Sequence, residues 1–411
     1  MRDRALRAIA ECRHIATMSE EPGRIMRRFL TPPMGDVHAH LRARMKKLGM
    51  TASVDAAGNL RGLWRPATAS GKRLEPRLVL GSHIDTVPDA GSFDGVLGVT
   101  LALEWVGIAQ ELDLPLAIEA IAFSDEEGVR YGVPFLGSRA VAGTFDTALL
   151  TLTDSEGITV EAAMRAFGLD PGRIAEAALE GDAIGFVEIH IEQGPVLDSE
   201  GLSVAAVTAI AGQTRLNLAF GGQANHAGTT PMRLRRDALA AAAEWITAVE
   251  ALAQRTDGLV ATVGKVSVEP NAGNVIPGAA QVSLDVRHAN DELRASAVEE
   301  LLARATGIAE RRGIYLRRTD QLDQPAVPMD ERLTALLANA IEAAGFPVKT
   351  VPSGAGHDAM VMASRVPAAM LFLRSPGGIS HLPAESVLEE DVEACLHVGR
   401  EFLLRLARDV R

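Results

Sequence analysis

Cysteine is nearly absent from this sequence: among 411 residues only Cys12 and Cys395 occur, far apart. That excludes a disulfide framework and points to a reducing compartment, the cytoplasm. Aromatic residues are scarce at 4%, while Ala, Leu, Val and Gly abound. Such a mix suits α/β layers better than an all-β sandwich. No long Lys/Arg run occurs and the formal net charge is -12, so nucleic acid is not an expected partner. No stretch approaches the roughly 20 apolar residues that span a bilayer, and the N-terminal residues lack the continuous apolar core of a secretory signal. No membrane partner is expected.

What is present is enough chain for more than one core, so two domains are the natural expectation. Four short apolar runs, Arg77–Leu80, Ala117–Phe123, Ile184–Ile191 and Ala368–Leu373, read as buried strands. Between the first two, Gly98–Leu112 has helix-spaced apolar residues, and this strand–helix–strand alternation predicts a sheet with helices on both faces. A different rhythm runs from Gly212 to Asp320. Thr214–Phe220 alternates like a strand, Arg236–Arg255 is an Ala-rich helix, and Leu259–Val268 and Ala280–Val286 read as paired strands. Glu292–Arg312 is a second helix and Ile314–Arg318 a last strand. The order β-α-β-β-α-β is that of a ferredoxin-like sandwich. The predicted organisation is a first domain segment over 1–211, an inserted unit over 212–325, and a return to the first domain over 326–411.

Four polar clusters follow or end the predicted sheet strands: Gly81-Ser82-His83-Ile84-Asp85-Thr86, Ser124-Asp125-Glu126-Glu127-Gly128, Glu188-Ile189-His190-Ile191-Glu192-Gln193, and Ser380-His381. Ligand crevices in open α/β sheets form at the carboxyl ends of strands, so clusters from four strands can converge. Imidazoles and carboxylates suit zinc, and also manganese or cobalt. Asp94, in Gly91-Ser92-Phe93-Asp94-Gly95, sits between glycines that permit an unusual backbone course. A carboxylate there could bridge two ions about 3.5–4 Å apart. Taken singly, each histidine is more often a hydrogen-bonded structural residue.

Together the motifs resemble a known family. Gly81-Ser82-His83-Ile84-Asp85-Thr86-Val87, Phe93-Asp94-Gly95-Val96-Leu97-Gly98 and Asp125-Glu126-Glu127-Gly128 are similar to the metal motifs of the M20 metallopeptidase clan. His190-Ile191-Glu192-Gln193-Gly194-Pro195 and Gly356-His357-Asp358-Ala359 resemble its hydantoinase/carbamoylase branch, and the resemblance runs from about residue 50 to the C-terminus. That branch holds N-carbamoyl-L-amino acid hydrolases, β-ureidopropionases and allantoate amidohydrolases. The fold it implies is α/β: a mixed-sheet, zinc-peptidase-like catalytic domain with an inserted ferredoxin-like α+β lid, which also serves dimerisation.

The resemblance implies two divalent ions per subunit, zinc or else manganese, cobalt or nickel. His83, Asp94 and His190 would hold one; Asp94, Glu127 and His381 would hold the other. It makes Glu126 the general base. On extended chain, adjacent residues point to opposite sides, so one carboxylate can bind metal while its neighbour faces water. Asp85 corresponds to a carboxylate that orients a ligand imidazole, whereas Glu188 reads as a polar edge residue. His226, in Asn225-His226-Ala227-Gly228, would polarise the scissile carbonyl of the neighbouring subunit's site in a homodimer. Asn274 and Arg287 would bind the substrate, Arg287 by clamping a carboxylate. Gln193, Gly356 and His357 complete the implied substrate set. The implied reaction is hydrolysis of the ureido C–N bond of an N-carbamoyl-L-amino acid or related ureido acid, releasing ammonia and carbon dioxide. Allantoate amidohydrolysis is the nearest alternative. A dipeptidase or aminoacylase of the same clan, or a metal-bound dimer without activity, are further ones.

Overall fold

The computed structural model describes residues 1–66, 76–181 and 183–409. The chain forms two compact units, Met1–Thr208 with Met329–Arg411, and Ala209–Pro328. The insertion expected over 212–325 falls within the second.

In the first unit a mixed sheet runs in the order Thr51–Val54, Leu60–Trp64, Ala117–Phe123, Arg77–His83, Ala183–Ile191, Ala368–Leu373, Val204–Ile210. Its centre is parallel: Arg77–His83 pairs in parallel with both Ala117–Phe123 and Ala183–Ile191, and Ala368–Leu373 pairs in parallel with Ala183–Ile191. Strands covered on both faces read as continuous apolar runs, which is why these four were legible. Strand Arg77–His83 extends three residues beyond the predicted Arg77–Leu80, because its pairing with Ala117–Phe123 continues to His83 opposite Phe123. Helix Val96–Glu111 is buried from Val96 to Ala109. It lies close on the sheet because Gly98 has no side chain: a Cβ there would stand 2.0 Å from the Ile189 carbonyl oxygen. Helices Arg2–Ala16 and Glu389–Asp409 pack against it.

The second unit carries an antiparallel sheet in the order Val266–Glu269, Ala279–His288, Gly212–Gly221, Tyr315–Gln324, with Val260–Thr262 also paired to Ala279–His288. The single strand expected over Leu259–Val268 is thus two short ones. Helices Ala238–Arg255 and Asp291–Arg312 pack on this sheet around Leu216, Leu218, Phe220, Trp245, Leu284 and Leu301. The indole of Trp245 donates to the Leu301 carbonyl at 2.8 Å, so its buried N–H is satisfied. Two helices on four principal strands in this order make a ferredoxin-like sandwich. Among the described residues no helix is long and apolar enough to cross a membrane.

Candidate metal centre

The carboxyl ends of the parallel strands place the histidines. His83 is the last residue of Arg77–His83, and His190 the last but one of the adjacent strand Ala183–Ile191. Each ring is fixed from behind. Nδ1 of His83 lies 3.0 Å from the Asp85 carbonyl oxygen, and Nδ1 of His190 lies 2.9 Å from that of Ile191. A nitrogen facing a carbonyl must carry the proton, which leaves Nε2 of each neutral ring as an acceptor. Both Nε2 atoms point into one gap and lie 3.4 Å apart. Asp94 Oδ1 faces the same gap, 3.2 Å from His190 Nε2 and 3.7 Å from His83 Nε2.

The other oxygen of Asp94 serves a second cluster. Asp94 Oδ2 is 3.1 Å from Nε2 of His381, which in turn is 3.7 Å from Glu127 Oε1. His83, Asp94 and His190 form one group able to hold an ion, and Asp94, Glu127 and His381 another. Asp94 precedes helix Val96–Glu111, and Gly95 between them has a φ of 64°. Any side chain at Gly95 would meet the His83 ring at 2.5 Å. Glycine is therefore required twice over, for the backbone and for the imidazole.

The residues fit a cation on the chemistry of the donors. Two imidazole nitrogens that face one another leave an acceptor unsatisfied unless a positive charge sits between them, and buried unsatisfied acceptors are costly. The acid groups describe the same field. Burial pushes the Asp94 carboxyl up, but the close imidazoles of His190, His381 and His83 outweigh it and hold the group well below the usual carboxylate range. Burial works against the charged form of His83, yet Asp85 and Asp94 raise it well above an ordinary imidazole. A field that draws protons onto buried imidazoles also draws metal ions.

Glu126 and Glu127 lie on a bend past the strand Ala117–Phe123 and not on extended chain as expected. Asp85 makes the bend: its Oδ1 accepts the Glu126 amide at 2.9 Å and its Oδ2 the Glu127 amide at 3.1 Å. The Asp85 carboxylate, 3.5 Å from His83 Nδ1, thus chiefly sets the glutamate pair, and its backbone carbonyl orients the ring. Burial, with repulsion from Glu127, Asp358 and Asp85, pushes the Glu126 carboxyl well above its ordinary range, against the pull of His83. Glu127, buried and beside Asp94, is raised to about 7. These are groups ready to hold or pass a proton, or to neutralise a cation.

The sequence and fold that carry this centre are matched by known proteins. The family model described as peptidase family M20/M25/M40 matches residues 79–405. The chain belongs to this family. An N-carbamoyl-L-amino acid amidohydrolase of Geobacillus stearothermophilus is 41% identical, over 87% of this chain and 87% of that protein. A probable allantoate deiminase of Oryza sativa subsp. japonica is 36% identical, over 94% of this chain and 85% of that one. The crystal structure of a hydantoinase/carbamoylase family amidase from Burkholderia multivorans superposes with a TM-score of 0.90 at 30% identity, covering 98% of each chain. Within M20, the chain falls in the hydantoinase/carbamoylase branch.

The remaining residues expected at the M20 site are placed as follows. Gln193, with a φ of 58°, aims its amide at both Asp94 oxygens, 3.2 and 3.0 Å away. His357 is buried, with Nε2 2.9 Å from Ser353 Oγ and its ring 4.5 Å edge-on from that of His190, so it buttresses a ligand ring. At Gly356 a side chain would press on the Phe135 ring at 3.0 Å. His381 does not end a strand; it lies beyond the turn Pro376–Gly378 that follows Ala368–Leu373. Glu188 is fully buried and no edge residue, accepting from Ser82 Oγ and the Ala359 amide at 2.8 Å each.

In the second unit His226 is exposed on a two-residue strand paired with Val275–Ile276, and its Nδ1 accepts the Gly228 amide at 3.0 Å. Asn274 lies beside it, with its carbonyl accepting from the Ala227 amide at 2.9 Å. Arg287 turns its guanidinium onto Asp285, with both contacts at 3.0 Å. Asp285 also takes Arg215 at 2.9 Å. Sequence reading did not single out Glu385, which is buried and accepts the amides of Phe93 and Asp94. Nor did it find Asn59, whose Oδ1 accepts from the Ser124 amide at 3.0 Å beside the glutamate pair. A lone Glu after His381 was the only signal for the first.

Proposed function

We propose that this M20 chain hydrolyses the ureido C–N bond of N-carbamoyl-L-amino acids or close ureido acids, using two divalent ions. The observation that carries the reading is the pair of facing Nε2 atoms at 3.4 Å with Asp94 offering one oxygen to each ion group. His83, Asp94 and His190 would hold one ion and Asp94, Glu127 and His381 the other; zinc, manganese, cobalt and nickel all suit these donors. When bound, such ions supply Lewis acidity and lower the pKa of a water.

The chain's own residues do the rest. Glu126, in its ionised form and with the raised proton affinity that burial gives it, takes a proton from the attacking water and returns it to the departing nitrogen. Water's oxygen bonds to the ureido carbon as the C–N bond breaks. Ammonia leaves, and the carbamic acid then loses carbon dioxide to give the amino acid. His226 donates a hydrogen bond to the developing oxyanion. Asn274, Gln193, Gly356 and His357 shape the substrate site. For Arg287 to clamp a substrate carboxylate, that carboxylate must compete with Asp285. Hydrolysis of allantoate is the second reading, favoured by the name of the rice relative. The two buried free cysteines suit a cytoplasmic enzyme.

Glu126→Gln tests the assignment. It should lower turnover by at least about a hundredfold while the metal content stays at the wild-type value. Equal loss of metal would make Glu126 a ligand and exchange the roles of the pair. We propose further that His226 serves the site of a second copy in a homodimer. Mixing Glu126→Gln subunits with His226→Ala subunits should then restore turnover that neither shows alone. No restoration would confine His226 to its own subunit or remove it from the reaction.

A further inference from the structure

Of the two ion groups, one is built on strands and the other is not. His83 and His190 sit on paired strands with rings locked through Nδ1 to backbone carbonyls. His381 sits in a loop at a φ of 58°, with its side chain 49% exposed. Something must hold that loop to Asp94, or the second group loses its geometry.

Glu385 does so. It is 6% exposed, and its Oε1 accepts the amide of Phe93 at 2.9 Å and that of Asp94 itself at 3.1 Å. Its Oε2 lies 3.2 Å from the hydroxyl of Ser380, the residue before His381, and that hydroxyl also lies 3.4 Å from Asp94 Oδ2. A single carboxylate thus joins the backbone of the shared ligand to the loop of the exposed one. The fold makes room for it: a Cβ on Gly91 would stand 2.3 Å from Glu385 Oε1.

We propose that Glu385 is a positioning residue that sustains the affinity of the Asp94–Glu127–His381 group and couples it to the first. The inference rests on the two-ion reading above. Its test is a titration of chelator-stripped, full-length protein with Co²⁺, followed by visible absorption and by equilibrium dialysis. Wild type should bind two ions per chain. Glu385→Ala should bind the first as wild type does and the second at least about tenfold more weakly, the usual cost of losing support behind a ligand. Glu385→Gln should recover most of that loss, because its amide oxygen still accepts both N–H groups. Wild-type affinity for both ions in Glu385→Ala, or equal weakening of both, would overturn the inference. Should Glu385→Ala fail to fold, Ser380→Ala, which cuts the link from Glu385 to the His381 loop together with the hydroxyl's contacts to Asp94 and Gln193, decides the matter: an unchanged second ion overturns it. Fewer than two ions in wild type would instead sink the two-ion reading, and this inference with it.

Discussion

At the scale of single residues, the centre depends on what stands behind each ligand. The His83 ring is held by a carbonyl at one nitrogen and given its space by Gly95. Gly95→Ala would force a side chain to within 2.5 Å of that ring, at a φ of 64° that a Cβ disfavours. Metal affinity, measured by competition with a chelator, should fall by about 10–100-fold. Unchanged affinity would show that the ring can move without loss. The candidate ligands were legible in sequence because each sits in a motif that resembles those of the M20 clan. Glu385 was not, since its partners lie 292 and 291 positions away. Neither was the partner of Arg287, which is Asp285, two residues back on the same strand.

At the scale of elements, the parallel strands and the helix Val96–Glu111 announced themselves through unbroken apolar runs, whereas the short antiparallel edges Thr51–Val54 and Leu60–Trp64 carry half-exposed patterns that sequence reading passed over. The Glu126–Glu127 bend was missed for another reason: it is imposed by Asp85 from a neighbouring strand end, not by local preference. One charge breaks the apolar helix. Glu104 is buried there and accepts from Arg4 at 2.6 Å, from Arg7 at 2.8 Å and from Arg44, which ties both N-terminal helices, Arg2–Ala16 and Pro32–Lys47, to the core. Glu104→Gln takes from Arg7 its carboxylate partner and from Arg4 and Arg44 one of two, since these keep Glu111 and Glu11, and should cost about 3 kcal/mol of stability at neutral pH. Burial pushes the Glu104 carboxyl up, but Arg7, Arg44 and Arg4 outweigh it and hold it below the ordinary range. Its contribution is therefore complete above the unfolded value, about 4.3, and is lost as the pH falls through the lower folded one. Denaturant melts should show the gap between wild type and Glu104→Gln closing below about pH 4. A gap of constant size from neutral to acid would contradict this role.

At the scale of the whole molecule, each unit has its own core, and the residues proposed for catalysis and binding are divided between them in sequence. The five proposed metal ligands and Glu126 belong to the first unit; His226, Asn274 and Arg287, proposed for the substrate, belong to the second. The β-α-β-β-α-β order of the second was legible because its strands alternate and its helices are long, two periods that are hard to confuse. The proposed homodimer rests on family resemblance alone, since no residue pattern by itself reports a subunit contact. The central claim is that this M20 chain uses bound metal to break a ureido bond. The most direct measurement is ammonia release by full-length protein, first stripped of metal and then reloaded with zinc, manganese, cobalt or nickel. The substrates are a panel of N-carbamoyl-L-amino acids and allantoate. The account predicts no release from the stripped protein and restored release, on at least one of these ureido acids, after reloading. No release from any of them, with two ions bound per chain, would contradict it.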